Sequence, residues 1–118
     1  MKLINKFKSP NFDKRTCNKI KFIIIHYTAL SNCSEAINYL CDKRNKVSSH
    51  YLISQKGDIY NLVDIKKRAW HAGYSYWGKD TDINSMSIGI ELDFSDAYKN
   101  DVFRKKMIFS LKLLIKHL

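Results

Sequence analysis

One proline, four glycines and three cysteines in 118 residues leave little to interrupt secondary structure and little to cross-link it. Cys17, Cys33 and Cys41 are odd in number and show no C-x-x-C spacing. That argues against both a disulfide framework and a cysteine-based zinc knuckle. No stretch approaches ~18 consecutive apolar residues, so no membrane span is expected. The N-terminal MKLINKFKSPNF is basic but lacks an apolar core and a small-residue cleavage site, so no secretory leader is expected. Together with the unpaired thiols, this places the expected compartment in the cytoplasm. H-E-x-x-H, G-x-S-x-G, P-loop and dinucleotide fingerprints are all missing, which sets aside several common enzyme classes.

What is present is a length and composition suited to one globular core. Hydrophobic residues make up 45% and charged residues 27% of the chain, unlike a disordered polymer. Lys and Arg outnumber Asp and Glu by 21 to 11, a formal charge of +10 that favours polyanions in general. The basic residues are scattered and form no nucleic-acid motif, so no nucleic-acid partner is expected.

Hydrophobic periodicity predicts the elements. Ile20 to Thr28 is a β-branched run that reads as a central strand covered on both faces, with Phe22, Ile24 and His26 sharing one face. Ser34 to Asn45 reads as a short amphipathic helix, with Asn32 or Ser34 as its cap. His50 to Ser54 and Ile59 to Val63 flank a Gly57-containing turn, which predicts a hairpin with Tyr51 and Ile53 on one face and His50 and Leu52 on the other. Lys66 to Asn84 has neither period and gathers Trp70, His71, Tyr74, Tyr76 and Trp77, the composition of a functional loop. Ser87 to Phe94 alternates, with Ile88, Ile90, Leu92 and Phe94 inward and Ser87, Gly89, Glu91 and Asp93 opposite. A carboxylate beside a glycine suggests close approach of a ligand. Asp101 to Leu118 carries Phe103, Met107, Ile108, Leu111, Leu114, Ile115 and Leu118 at helical spacing. The pattern is still running at Leu118, so an exposed apolar face on this helix is expected.

Each histidine reads in more than one way. His26 ends a strand, where either a hydrogen-bonded core histidine or a metal ligand fits. His50 begins one beside Ser48 and Ser49, where a structural hydrogen bond is the simpler role. His71 lies in the aromatic loop and could face a ligand, and His117 suits a solvated cation near a helix C-terminus.

Taken in order, Phe22-Ile-Ile-Ile-His-Tyr-Thr-Ala, Val47-Ser-Ser-His-Tyr-Leu-Ile with Gly57-Asp-Ile-Tyr-Asn-Leu-Val, Arg68-Ala-Trp-His-Ala-Gly and Asn84-Ser-Met-Ser-Ile-Gly-Ile-Glu-Leu resemble the N-acetylmuramoyl-L-alanine amidase type 2 family. That family also includes T7 lysozyme-like amidases and peptidoglycan recognition proteins. The resemblance runs from about Lys21 to the end of the chain. It implies an α/β fold with a central mixed β-sheet flanked by helices, in which residues 20–118 form the amidase-like domain and residues 1–19 an N-terminal extension. It further implies a zinc-dependent hydrolase that cuts the amide between N-acetylmuramic acid and L-alanine, with peptidoglycan or a muropeptide as partner. By motif position, His26 maps onto a zinc ligand and Glu91 onto the catalytic glutamate. His50, Tyr51, Trp70, His71, Ala72 and Asn84 map onto the substrate groove or its floor. Members of the family draw a second histidine, an oxyanion-stabilising residue and a third ligand from a segment after the long helix. The expectation is therefore a zinc site incomplete in this chain. It would be completed by a separately encoded C-terminal segment, or the chain would serve as an inactive muropeptide-binding remnant.

Overall fold

The computed structural model describes residues 1–73, 76–94 and 101–118, with residues 101–103 described by backbone alone. Among the described residues, seven strands and two α-helices follow one another. Strand β1 is Leu3–Ile4, β2 is Phe12–Lys14 and β3 is Phe22–Tyr27. Helix α1 is Cys33–Leu40, followed by a 3-10 turn at Lys43–Asn45. Then come β4 at Tyr51–Ile53, β5 at Ile59–Asn61, β6 at Lys67–Ala69, a 3-10 turn at Ile83–Met86, β7 at Ser87–Leu92 and α2 at Asp101–His117.

Five strands form one mixed sheet in the order β1-β5-β4-β7-β3. β4 and β5 are the expected antiparallel hairpin, while β4–β7, β7–β3 and β1–β5 are parallel pairs. β2 pairs antiparallel with β6 as a separate ribbon. The expected mixed sheet flanked by helices is therefore present, and residues 1–19 contribute one strand to each sheet.

Strand β7 lies inside the sheet between β4 and β3, with five of its six residues buried. The isoleucine-rich β3 is an edge strand, contrary to the expectation that both its faces are covered. Its Phe22, Ile24 and His26 are half-buried, whereas Ile23, Ile25 and Tyr27 are exposed. A continuous apolar run reports what the strand can bury, but its rank in the sheet depends on which neighbours pair with it.

The register fixes the faces. Ile88 and Ile90 stand beside Ile23 and Ile25 on one side, and Ser87, Gly89 and Glu91 beside Phe22, Ile24 and His26 on the other. Helix α2 covers the first side, where Met107, Leu111 and Leu114 bury against Tyr51, Ile53, Ile59, Ile88 and Ile90. Its Ile108, Phe109, Leu113 and Ile115 are exposed, the apolar face expected of this helix. The helix docks on the hairpin turn, where Ser110 Oγ donates to the Gly57 carbonyl at 2.6 Å. A Cβ on Gly57 would lie 2.8 Å from Ser110 Oγ and 3.1 Å from the Lys106 carbonyl, and the residue's φ of +88° also favours glycine. The Phe103 side chain, placed on the stripe by periodicity, lies outside the described residues.

Helix α1 covers the second side, burying Ala36, Ile37 and Leu40 against Leu52 and Leu62. Asn32 is its cap, accepting from the Glu35 amide at 2.9 Å. The helix stops at Leu40, and the expected span ends in the 3-10 turn at Lys43–Asn45, which Asp42 caps by accepting from the Arg44 amide at 2.9 Å.

Candidate active site

The second side of the sheet carries a cluster of polar groups where β3 and β7 meet. His26 and Glu91 are register partners across the parallel pair, so both side chains rise from the same row. Glu91 is 9% exposed, and its Oε2 is buried without a hydrogen-bond partner among the described residues. Burial pushes its carboxyl up to about 7, since removing water disfavours the charged form. A carboxyl poised near neutrality can either take or give a proton.

Three histidines crowd this region. His71 lies edge-on to both His26 and His50, with ring centroids 5.3 and 6.2 Å away. His71 Nδ1 is 3.1 Å from His26 Nε2, and its Nε2 is 3.0 Å from Ser87 Oγ. Ser87 Oγ in turn donates to the Ile83 carbonyl at 2.7 Å. His50 is fully buried. Its Nδ1 accepts from the Gly89 amide at 3.0 Å and its Nε2 donates to the Lys67 carbonyl at 2.8 Å. Burial lowers all three rings, His50 to about 4 and His71 to about 3, where the neighbouring His26 and His50 add to the effect. All three are neutral at physiological pH.

The sequence paired Gly89 with the approach of a ligand, but the structure fills that space with the chain's own His71. A Cβ on Gly89 would lie 2.5 Å from His71 Cδ2 and 2.6 Å from its Cγ. The glycine admits an imidazole laid over β7.

The other candidates take distinct places. Asn84 is buried, and its Oδ1 accepts from the His71 and Ala72 amides at 3.2 and 2.9 Å, holding the turn that carries the histidine. Trp70 is tied to Ser48, donating its amide to Ser48 Oγ at 2.9 Å and accepting from the Ser48 amide at the same distance. It lines an open cleft with Arg68, Asp82, Asn84 and Lys46. Tyr51 sits in the core beneath α2, on the side of the sheet opposite His26. His50 has both ring nitrogens bonded to backbone, the structural role its sequence context suggested. Thus His26, His71, Ala72 and Glu91 share one region with Asn84 behind them, while Tyr51 does not join it. The loop between Lys66 and Asn84 contains β6 and a 3-10 turn. Tyr76 and Trp77 are exposed there, and Tyr74 lies outside the described residues.

Two supporting groups escaped the sequence reading. Arg15 donates to the carbonyls of Ile65, Asn84 and Ser85 at 2.8 to 3.1 Å, binding the N-terminal segment to the floor of the site. Ser87 holds His71. Neither belongs to a local pattern, because their partners are distant in sequence.

As a metal centre the cluster is partial. His50 has no free lone pair and His71 directs both nitrogens to neighbours, which leaves His26 as one imidazole donor. Among the described residues no three His, Cys, Asp or Glu side chains are grouped to hold an ion. Catalytic zinc normally takes three protein ligands, so these residues supply a donor and do not make a complete site.

Comparison with known proteins gives this arrangement a context. The model of the N-acetylmuramoyl-L-alanine amidase family matches residues 16–118. The chain is 43% identical over 82 residues to the N-acetylmuramoyl-L-alanine amidase AmiD of Escherichia coli, covering 64% of this chain and 29% of that protein. It is 32% identical over 125 residues to the 1,6-anhydro-N-acetylmuramyl-L-alanine amidase AmpD of Haemophilus influenzae, covering 91% of this chain and 66% of that one. The chain therefore spans under a third of the first relative and about two thirds of the second. The solved complex of E. coli AmiD with anhydro-N-acetylmuramic acid-L-Ala-D-gamma-Glu-L-Lys superimposes with a TM-score of 0.71 at 34% identity, covering 95% of this chain and 44% of that one.

Proposed function

Because the chain belongs to the N-acetylmuramoyl-L-alanine amidase family, we propose that it acts in hydrolysis of the amide joining N-acetylmuramic acid to the L-alanine of the stem peptide, with Glu91 as the acid/base. The observation that carries this reading is the placement of Glu91: a buried carboxyl raised to about 7, one oxygen unpartnered, in register with His26.

Hydrolysis needs a proton taken from water as its oxygen joins the carbonyl carbon, and a proton delivered to the amine as the C–N bond breaks. A single carboxyl near neutrality can do both in turn, leaving a lactyl carboxylate and a free L-alanine amino group. The unpartnered Oε2 is available for the water, and burial keeps bulk solvent from competing for that proton. The family is typically zinc-dependent, and zinc supplies a polarised carbonyl and an acidified water when bound. In this chain His26 is the residue that would contribute a donor to it. The described residues supply that one donor only.

That same shortage favours a second reading, retention of muropeptide without cleavage. Incubation with anhydro-N-acetylmuramyl-L-Ala-D-γ-Glu-L-Lys, with and without added Zn²⁺, separates the two. Mass-spectrometric detection of the free L-Ala-terminated peptide, lost in Glu91→Gln, supports hydrolysis. Metal-independent binding with no free peptide overturns it in favour of a binding module.

A further inference from the structure

We propose that His71, seated on Gly89 and oriented by Ser87, is a positioning residue that sets the tautomer of His26, so that His26 carries its hydrogen on Nε2 and presents Nδ1 as the lone-pair nitrogen. Ser87 has one hydroxyl hydrogen, and the Ile83 carbonyl 2.7 Å away can only accept, so the hydrogen lies there. Ser87 Oγ must then accept from His71 Nε2 at 3.0 Å. A neutral imidazole carries one ring hydrogen, so His71 Nδ1 is an acceptor, and the contact of 3.1 Å to His26 Nε2 requires His26 to donate. The Ile83 carbonyl, a fixed backbone group, thereby dictates the state of a side chain three hydrogen bonds away.

The fold holds each link in place. Asn84 Oδ1 fixes the His71 and Ala72 amides. Gly89 provides the only kind of surface on which the ring can lie, since a Cβ there would come within 2.6 Å of two ring carbons. A histidine that exchanges between tautomers offers either nitrogen, whereas this one offers Nδ1 to any electrophile at the site. Fixing the orientation of a ligand in this way typically changes metal affinity 10- to 100-fold. The significance of the freed nitrogen for metal binding rests on the amidase reading. The relay itself does not.

The test needs neither metal nor substrate. Long-range ¹H–¹⁵N correlation spectra of the metal-free chain labelled in histidine, recorded well above the ordinary histidine range of ~6.5, report which ring nitrogen of His26 is protonated. The expected result is a single Nε2–H form in the native chain. It should give way to mixed tautomers in His71→Phe and in Gly89→Ala, with the single form restored in His71→Asn, whose side-chain oxygen can accept in place of Nδ1. Leu114→Ala, on the opposite side of the sheet, is expected to lower stability and leave the tautomer unchanged. An Nδ1–H form in the native chain, or an unaltered His26 in folded His71→Phe, overturns the proposal. Should His71→Phe not fold, Ser87→Ala and the native spectrum decide it. Failure of the peptide-release assay would count against the amidase reading and leave the tautomer result standing.

Discussion

Ile88 and Ile90 on one side of β7, and Ser87, Gly89 and Glu91 on the other, are buried to nearly the same degree, yet the two sides bury opposite kinds of group. Beneath α2 the contacts are between branched hydrocarbons, and any side chain of similar shape would preserve most of them. Beside His26 the side chains of His71 and Ser87 have directional partners, whereas Glu91 Oε2 is buried with none among the described residues. The first side supplies stability that is diffuse and additive. The second is a chain of single bonds, in which changing one member alters the state of the next.

The largest test of this contrast is Leu114→Ala, which removes a fully buried side chain from the α2 side. A loss of about 2–5 kcal/mol is expected, read from urea unfolding. A loss below about 1 kcal/mol would mean that the α2 side is not the main source of stability.

Glu91→Gln addresses the opposite side, with a sign set by pH. The folded-state pKa of Glu91 is raised from 4.5 to about 7. Its contribution is therefore full below 4.5 and lost as pH rises through 7. At ~1.4 kcal/mol per pKa unit, the native chain forfeits on the order of 3 kcal/mol by the alkaline end. Glu91→Gln lacks this titration and should be the more stable protein at pH 8, with the difference shrinking toward zero near pH 4. Histidine titrations are common to both proteins and cancel in the comparison. A difference that does not vary with pH would contradict the burial of the ionised carboxylate.

Asn84→Ala deprives two backbone amides of their acceptor and should cost about 1–3 kcal/mol. Faster hydrogen exchange is expected specifically at His71 and Ala72. The smallest effect is expected at Ile23, on the same side of the sheet as Ile88 but exposed. Ile23→Thr should change stability by less than about 0.5 kcal/mol. A larger loss would show that burial under α2 is not what distinguishes Ile88 from Ile23.

Much of this contrast was legible in the sequence. The two-residue period of Ser87 to Leu92 separates its apolar and polar sets, and the spacing of Met107, Leu111 and Leu114 marks the face of α2 that they meet. The motifs of the resemblance placed His26 and Glu91 in one site, and the parallel register makes them neighbours. Non-local partnerships were not legible. The isoleucines of β3 read as doubly covered because hydrophobicity does not encode rank in the sheet. Gly89 read as space for a ligand because nothing nearby in sequence announces that a ring from position 71 will lie over it. Tyr51 carried a groove motif, but its place in the hairpin alternation puts it beneath α2.

The tether of Arg15 to the Ser85 carbonyl spans 70 positions, and Ser9 reaches the Leu40 carbonyl across 31. On a chain synthesised from its N-terminus, Arg15 cannot find its partner until most of the polypeptide has emerged, and Ser9 must wait for the whole of α1. Closing such long loops is slow compared with forming α1 or the β4–β5 hairpin. The first part of the molecule to be made is thus among the last to be secured, and with it the floor on which the site is built.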